Sequence, residues 1–158
     1  MPPFGQPAAS FHFSVALSGA PGESSFQEVS GLKAEWTVEE VAEGGQNRFL
    51  HQLPKRTRYS PLVLKRGVVP GDSKLADWLT ASFRSSLTSK RVQPKNIVVL
   101  LLDGRSRPVV KWWVAGAYPL RWDHSALASG ESSLLIETIE LSYSFFERET
   151  MRRSDDAA

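Results

Sequence analysis

The sequence has no cysteine, and this absence excludes disulfide bonds and thiolate metal sites. Its three histidines, at positions 12, 51 and 124, lie far apart and none sits in a metal-binding spacing. No stretch approaches the roughly 18 consecutive apolar residues that a membrane-spanning helix needs. The N-terminal residues lack the charged start and apolar run of a signal peptide. We therefore expect no bound metal, no membrane partner and no export by a cleavable signal.

The motifs of common catalytic sites are missing as well. The sequence contains no G-x-x-x-x-G-K phosphate loop and no G-x-G-x-x-G motif after a strand. Asp123, His124 and Ser125 are the residue types of a hydrolase triad, but consecutive side chains diverge and do not normally form that geometry. We predict a polar loop there, no catalytic residue, no cofactor and no enzymatic activity. A hydrolase or ligand-binding barrel that uses His124 and Ser125 is the alternative.

Charge is nearly balanced overall but strongly segregated along the chain. The formal net charge is +2, which is too small for a general nucleic-acid binder. Residues 1–54 carry a net charge of −4, whereas residues 55–66 carry +5 and no acid. Such neighbouring segments can complement each other within one fold or between copies. Basic residues interleaved with aromatic ones, as in 44–67, can also grip nucleic acid, which is the competing interpretation.

Most of the chain shows the alternating apolar pattern of half-buried strands, with residues 11–17 as the clearest case. The same reasoning predicts extended segments at 26–32, 33–43, 109–122 and 133–148. The continuous apolar run 96–103 predicts a central strand covered on both faces. Pro54 and Pro61 are expected at edges, bulges or strand starts, because proline cannot donate a ladder hydrogen bond.

The last two strands carry more specific expectations. One apolar face around Gly116 is predicted, formed by Val110, Trp112, Val114, Tyr118, Leu120 and Trp122. Further on, the apolar phase slips between Ile136 and Ile139, which indicates a bulge or burial on both faces. One buried face is predicted after that slip, formed by Ile139, Leu141, Tyr143 and Phe145.

One helix is predicted within residues 69–89, with Asp72 or Ser73 as its N-cap after Pro70-Gly71. Apolar residues recur there at helical spacing and are expected to face the core: Leu75, Trp78, Leu79, Phe83 and Leu87. The elements together predict one mainly β (α+β) domain at 10–148, between flexible tails at 1–9 and 149–158. The expected architecture is two packed antiparallel sheets forming a sandwich or partly closed barrel, with the helix on its flank.

The order of several short motifs is distinctive. The chain carries, in sequence, "FHFSVAL", "FQEVSGL", "EEVAEGG", "LVLKRG", "LADWL", "VVLLLD", "VVKWWVAGAYPLRW" and "IETIEL". This series resembles the inner tail-tube family of contractile phage tails and contractile injection systems. The resemblance covers about residues 10–146, and "EVSGL" (28–32), "LKRG" (64–67) and "IETIEL" (136–141) carry most of it.

The resemblance implies a tail-tube-like barrel whose copies form a hexameric ring, with rings stacking into a tube inside a contractile sheath. It also implies that the strands around 33–43 and 47–66 form a long hairpin that builds ring and stacking contacts. The implied partners are further copies, tube rings, the spike or hub, baseplate proteins and the sheath, with nucleic acid only as passing cargo. Assembly is expected in the bacterial cytoplasm, as part of a phage tail or phage-tail-like particle.

Subunits of such a tube must expose strand edges that are satisfied only after assembly. Acidic and basic side chains of the hairpin region can then meet between copies, where charge complementarity sets register more than affinity. The candidate interface residues are Glu35, Glu39, Glu40, Glu43, Arg48, Lys55, Arg56, Arg58, Lys65 and Arg66.

One departure from the common tube pattern bears on the role. Leu53-Pro54 is followed here by a basic run, where many tube subunits carry a shorter stretch with a Met-Pro-Gly turn. This version resembles the subunit that starts the tube on the baseplate spike. We therefore expect a tube-initiator ring. The alternatives are the repeating tube subunit itself, or a secreted type VI-like hexameric carrier of effectors.

Overall fold

The computed structural model of the protein describes residues 10–41, 51–68, 71–125 and 135–151. Its elements in chain order are β1 (His12–Leu17), β2 (Glu23–Ser30), β3 (Ala34–Val41), β4 (His51–Tyr59), β5 (Leu62–Gly67), α1 (Lys74–Ser85), β6 (Lys95–Leu102), β7 (Pro108–His124), β8 (Ile136–Ser142) and β9 (Phe145–Thr150). The predicted tails fall largely outside the described residues, although β9 continues past position 148.

Seven of the strands form one antiparallel sheet in the order β6-β1-β2-β5-β8-β7-β9. Because β6 also pairs with β7, this sheet curls back on itself and is partly closed into a ring. We call this partly closed seven-stranded sheet the barrel. β3 and β4 pair with each other in a separate two-stranded sheet. The predicted mainly β class with one flanking helix and a partly closed antiparallel sheet is confirmed, with the core enclosed by one curled seven-stranded sheet and not by two packed sheets.

The core lies inside the curled sheet and beneath α1. Its fully buried side chains include Phe26, Leu62, Leu64, Leu75, Leu79, Ile97, Ile139 and Leu141. Burial of each such side chain contributes about 1.5–3 kcal/mol relative to exposure. In β6, Ile97 and Val99 are buried whereas Val98 and Leu100 are only half-buried, so the prediction of two covered faces was wrong for this strand.

The helix begins where the sequence indicated. The Oγ of Ser73 accepts a hydrogen bond from the N–H of Ala76 at 3.0 Å, which confirms the predicted N-cap. Leu75, Trp78 and Leu79 are buried, as predicted.

The second half of the predicted helical stripe was wrong. Phe83 is 40% exposed and Leu87 is 84% exposed, while Ser82 and Ser85 occupy the buried face instead. Each step of four residues advances 400° around a helix with 3.6 residues per turn, so the predicted stripe drifts away from the core. Since α1 ends at Ser85, Leu87 also lies beyond the last helical residue.

Along β7 the predicted apolar face is interrupted by a bulge. Val110 and Val114 are buried as predicted, but Tyr118 and Leu120 are exposed. The register between β6 and β7 shifts next to Gly116, whose φ is +63° and whose N–H donates to the Asn96 Oδ1 at 3.0 Å. One extra residue in a strand moves the following side chains to the opposite face, and a second register shift between Pro119 and Arg121 returns Trp122 to the core.

The predicted strand 133–148 is divided into β8 and β9. Ile139, Leu141 and Tyr143 are buried as predicted, whereas Phe145 lies after the division and is 41% exposed. The phase slip near Ile136 is not a bulge, because β8 pairs with β5 in continuous register from Ile136 to Leu141. The slip arises because the inward position next to Ile136 holds a charged residue, Glu137.

Candidate subunit interface

The hairpin of β3 and β4 has two chemically different faces. Residues that stand directly opposite each other point to the same side, and the register pairs Trp36 with Thr57 and Glu35 with Arg58. A register shift follows at Thr37/Val38, and Pro54 lies next to this bulge, as expected for proline. The substantial contacts of both strands are with each other. We call this element the β3–β4 hairpin.

One face of the hairpin is apolar and exposed. Trp36 is 64% exposed, and Val38, on the same face, is 52% exposed. The Trp36 Nε1 donates to the Thr57 Oγ1 at 3.1 Å, which orients the indole across the two strands. An isolated two-stranded hairpin is marginally stable in water, and an exposed tryptophan beside a valine is the kind of surface that a partner covers.

The other face of the hairpin is charged. Glu35 and Arg58 stand opposite each other, followed by Thr37 and Arg56. The Thr37 Oγ1 donates to the Arg56 backbone carbonyl at 3.1 Å, and the Glu35 carboxylate lies 3.6 Å from the Lys33 ammonium group. These side chains are exposed, so their ion pairs contribute little to folding and are accessible to a partner.

The ten candidate interface residues divide by their place in the structure. Glu35, Arg56 and Arg58 are exposed on the hairpin. The backbones of Glu39, Glu40 and Lys55 lie in β3 and β4, and Glu43 and Arg48 lie outside the described residues. Lys65 and Arg66 belong to β5 in the larger sheet.

Lys65 and Arg66 face opposite sides of their strand. The Lys65 ammonium group lies 3.5 Å from the Glu28 carboxylate on the outside of the sheet. Arg66 points inward and is only 6% exposed. Its guanidinium is therefore engaged inside the fold, which differs from its expected place at a subunit contact.

Inside the barrel, Arg66 joins two strands through its guanidinium. The Nε donates to the Glu137 Oε2 at 2.7 Å, and the Nη1 donates to the Glu23 Oε1 at 3.0 Å. Glu137 also accepts from the Trp122 Nε1 at 2.6 Å. The guanidinium carbon lies 4.9 Å from the centre of the Phe26 ring. We call these residues the Arg66 network.

The Arg66 network also holds the start of the helix. The Arg66 Nη2 donates to the Ser73 Oγ at 3.1 Å, and the N–H of Leu75 donates to the Glu23 Oε2 at 2.9 Å. Glu23 therefore acts as a negative charge at a helix N-terminus, where the helix dipole favours it. The β2 strand, the β5 strand and α1 are fixed relative to one another by this contact.

Hydrogen bonds within the Arg66 network favour the charged forms of Glu23 and Arg66. Burial opposes ionisation of Glu23, but hydrogen bonds from Ser73, the Leu75 N–H and Arg66 outweigh it and lower the pKa of that carboxyl below its usual value. Burial likewise opposes the charge on Arg66, yet the hydrogen bonds to Glu137 and Glu23 raise its pKa. Both groups are ionised in the folded protein at neutral pH.

The two chain segments that connect the hairpin to the barrel pass very close to each other, at Gly31 and Pro61. Gly31 has a φ of +86°, and a Cβ there would lie 1.8 Å from the Pro61 carbonyl oxygen. The Tyr143 hydroxyl donates to the Gly31 carbonyl at 3.1 Å, and burial raises the pKa of Tyr143 to about 12. Tyr59, at the end of β4, packs on Tyr143 with ring centres 5.8 Å apart. Both ends of the hairpin are thus anchored to the core.

Sequence reasoning missed two features of this region. The segment 33–43 was predicted to be extended, but the exposure of Trp36 and Val38 on it was not anticipated. Glu23 and Glu137 were not recognised as partners of Arg66. The phase slip at Ile136 was the available signal for Glu137, because a charged residue at an inward position requires a buried counter-charge.

The prediction of a polar loop at Asp123, His124 and Ser125 was wrong for the first two residues, because β7 extends to His124. The side chains of His124 and Ser125 each have partners outside the proposed triad. The Ser125 Oγ accepts a hydrogen bond from the Ile136 N–H at 2.8 Å, and the His124 ring packs against Trp122 with centres 5.2 Å apart. Within the described residues, no group of three His, Asp or Glu side chains could hold a metal ion. No helix in the described part of the chain is long and apolar enough to cross a membrane.

Solved structures with the same architecture come from contractile particles. A chain in the cryo-EM structure of the anti-feeding prophage (AFP) baseplate, 6-fold symmetrised, is 32% identical, with 93% of this chain and 98% of that chain covered and a TM-score of 0.68. A chain of the AFP tube-terminating cap is 22% identical, with 93% of each chain covered and a TM-score of 0.72. A chain of the PVC sheath–tube complex in the extended state is 22% identical, with 95% of each chain covered and a TM-score of 0.69.

Sequence comparison agrees with the structural likeness. No curated protein sequence matches the chain. Residues 9–147, from before β1 into β9, match the family described as T4-like virus tail tube protein gp19. Because that match includes β1 to β8, the start of β9 and the helix, the chain belongs to the T4-like tail tube protein family.

Proposed function

We propose that this tail-tube-like subunit of contractile injection systems forms the ring that starts the inner tube, between the spike or hub and the first tube ring. The observation that carries the proposal is the β3–β4 hairpin. It has an exposed apolar face at Trp36 and Val38, a charged face at Arg56 and Arg58, and an anchored base at Gly31. Its role is structural, as its family of tail tube proteins supports, and not catalytic.

The hairpin supports assembly for an energetic reason. Its strands bury little of their own surface, so a neighbouring copy that covers Trp36 and Val38 stabilises the hairpin and joins the subunits in one step. The charged face then selects the register, since Glu35 and Arg58 can pair with charges of a neighbour. A hexameric ring is the assembly we propose, in line with the 6-fold symmetrised AFP baseplate that contains a similar chain.

Sequence identity supports the initiator role over the repeating one. The chain is 32% identical to a chain from a baseplate structure, but 22% identical to a chain from the sheath–tube complex. The repeating tube subunit is the second candidate, because the fold matches the sheath–tube chain as well as the baseplate chain, with TM-scores of 0.69 and 0.68. Partners of the initiator are the spike or hub on one face and a different tube protein on the other. The proposed setting is a phage-tail-like particle assembled in the bacterial cytoplasm.

Self-assembly separates the two candidates. A repeating subunit has complementary top and bottom faces, so one ring templates the next without limit. An initiator has two faces that match foreign partners. We expect the purified protein to stay monomeric or to stop at single rings at high concentration in negative-stain microscopy. Adding the cognate tube protein should give tubes that carry this chain at one end. Long tubes from this protein alone would overturn the initiator role and make it the tube subunit.

A further inference from the structure

A groove of about 810 Å³ lies at the end of the barrel away from the hairpin. Its walls are the turn after β1, the face of α1 and the segment 90–95 before β6. The strand β2 starts at this end and leads to the hairpin at the other, so the groove and the base of the hairpin lie at opposite ends of β2. We call this site the basic groove.

The walls of the basic groove are held by hydrogen bonds. The Trp78 Nε1 donates to the Gln93 carbonyl at 3.3 Å, which ties the segment 90–95 to the helix. The N–H of Ser18 donates to the Asn96 carbonyl at 2.8 Å, which ties the turn after β1 to β6. The groove is therefore formed before any partner binds, which reduces the ordering cost of binding.

Charge on the rim of the groove is strongly one-sided. The rim holds four bases, Lys74, Lys90, Arg91 and Lys95, against a single acid, Asp77. All five are exposed, and none of the four bases forms an ion pair with another residue in the described part of the chain. The chain as a whole has a net charge of only +2, so this concentration of positive charge is local.

The floor of the groove is apolar. It is made by Leu17, Trp78, Ala81 and the half-exposed Val92. Trp78 is only 7% exposed, so its ring offers no free face on which a nucleic-acid base could stack. A positive rim over an apolar floor instead complements a peptide that alternates carboxylates with apolar side chains.

We propose that the basic groove binds an acidic peptide segment of a partner protein. Carboxylates of the segment pair with Lys90, Arg91 and Lys95, while its apolar side chains cover Val92 and the edge of Trp78. The site is distinct from the β3–β4 hairpin and does not depend on ring formation. The protein thereby has one surface for copies of itself and a second surface for a different protein.

Peptide binding to the full-length protein tests this proposal. The chain has no cysteine, so Val92→Cys provides a single position for an environment-sensitive fluorophore inside the groove. The probe is a short synthetic peptide of alternating Glu and Leu, compared with a Lys–Leu peptide and with a single-stranded oligonucleotide. We expect saturable binding of the Glu–Leu peptide alone, followed by fluorescence and, for unlabelled protein, by calorimetry.

Matched charge reversals separate the groove from the rest of the surface. Lys90→Glu/Arg91→Glu should weaken binding of the Glu–Leu peptide at least about tenfold, because it removes the central charges of the rim. Arg105→Glu/Arg148→Glu makes the same change in net charge outside the groove and should leave the affinity within about twofold. Circular dichroism of both variants, which should match the parent spectrum, checks that they remain folded.

Each remaining outcome contradicts the proposal. Equal weakening by the two double variants would mean non-specific attraction to a positive surface. Tighter binding of the oligonucleotide, lost in Lys90→Glu/Arg91→Glu, would make the groove a nucleic-acid site. Absence of Glu–Leu binding would also overturn it. Because Arg56→Glu/Arg58→Glu lies on the hairpin, that variant should keep peptide affinity even where ring formation is lost, which distinguishes the two surfaces.

Discussion

Arg58 and Arg66 belong to the same basic stretch of the sequence, yet the fold uses them in opposite ways. Arg66 is buried in the barrel and pairs with Glu23 and Glu137 at hydrogen-bond distance. Arg58 lies exposed on the hairpin, opposite Glu35. The barrel satisfies its charges internally, whereas the hairpin presents its charges and its apolar face outward. Stability is therefore concentrated in the first region, whereas the second region is the surface that we propose for assembly.

The largest effect is expected from breaking the Arg66 network. Arg66→Met should lower the free energy of unfolding by about 3–5 kcal/mol, because the buried Glu137 and the half-buried Glu23 would lose their counter-charge. Urea denaturation measures this change. The matched control is Arg58→Met on the hairpin, which should stay within about 0.5 kcal/mol of the parent protein. Similar losses in both variants would contradict the distinction between the two regions.

Gly31→Ala should be the next most damaging change, at the base of the hairpin. The new Cβ would meet the Pro61 carbonyl oxygen at 1.8 Å, in addition to the strain of a positive φ, which costs of order 1–3 kcal/mol by itself. Gly19→Ala is the control, since Gly19 also has a positive φ but open space around it. Thermal unfolding should show a clearly larger loss for Gly31→Ala. Equal losses would mean that the close approach of Gly31 to the Pro61 carbonyl does not contribute to stability.

Tyr143→Phe should cost about 0.5–1.5 kcal/mol, the usual net contribution of one hydrogen bond. The change removes the bond from the Tyr143 hydroxyl to the Gly31 carbonyl while keeping the aromatic packing on Tyr59. Tyr118→Phe, at an exposed tyrosine of β7, serves as the control. Chemical denaturation of both variants measures this difference. An unchanged stability of Tyr143→Phe would mean that this hydrogen bond does not stabilise the base of the hairpin.

Acid should weaken the barrel through Glu23. The pKa of Glu23 is lower in the folded protein than its ordinary value of 4.5, so the unfolded chain binds more protons between the two values. The stabilisation is complete above about pH 4.5 and is lost as the pH falls through the folded pKa. Stability measured against pH should therefore fall on the acid side, and Glu23→Gln should flatten that fall. Glu147→Gln, at an exposed carboxylate of β9, is the control and should preserve it.

The smallest effect on folding is expected from Arg56→Glu/Arg58→Glu. These exposed charges contribute little to stability, so the free energy of unfolding should change by less than about 1 kcal/mol. Ring formation should nevertheless be lost, because the charged face of the hairpin would carry the wrong sign for its neighbour. Size-exclusion chromatography and negative-stain microscopy measure this, with sensitivity of the parent rings to salt as a second readout. Intact rings in the double variant would show that the charges of Arg56 and Arg58 do not set the register between subunits.

Local patterns predicted much of the barrel correctly. Alternation identified most strands, Ser73 was recognised as a helix cap, and Pro54 and Pro61 lie at a bulge and before a strand start. The errors occurred where a strand changes phase or a helix stops. Tyr118 and Leu120 became exposed because of the bulge at Gly116. Such bulges depend on pairing with other strands, so periodicity within one segment cannot locate them.

The sequence by itself determined the class of this protein. Strand periodicity and one capped helix predicted a mainly β domain, and the order of motifs indicated the tail-tube family. These signals lie within short segments and can be read without knowing how the segments pack. Only the tertiary structure decided which charges are buried. Arg66 and Glu137 are far apart along the chain and become partners only when β5 pairs with β8. Likewise, Trp36 is left exposed because β3 and β4 pair apart from the larger sheet. The free energy of a charge or an apolar side chain depends on what surrounds it, and long-range strand pairing sets those surroundings.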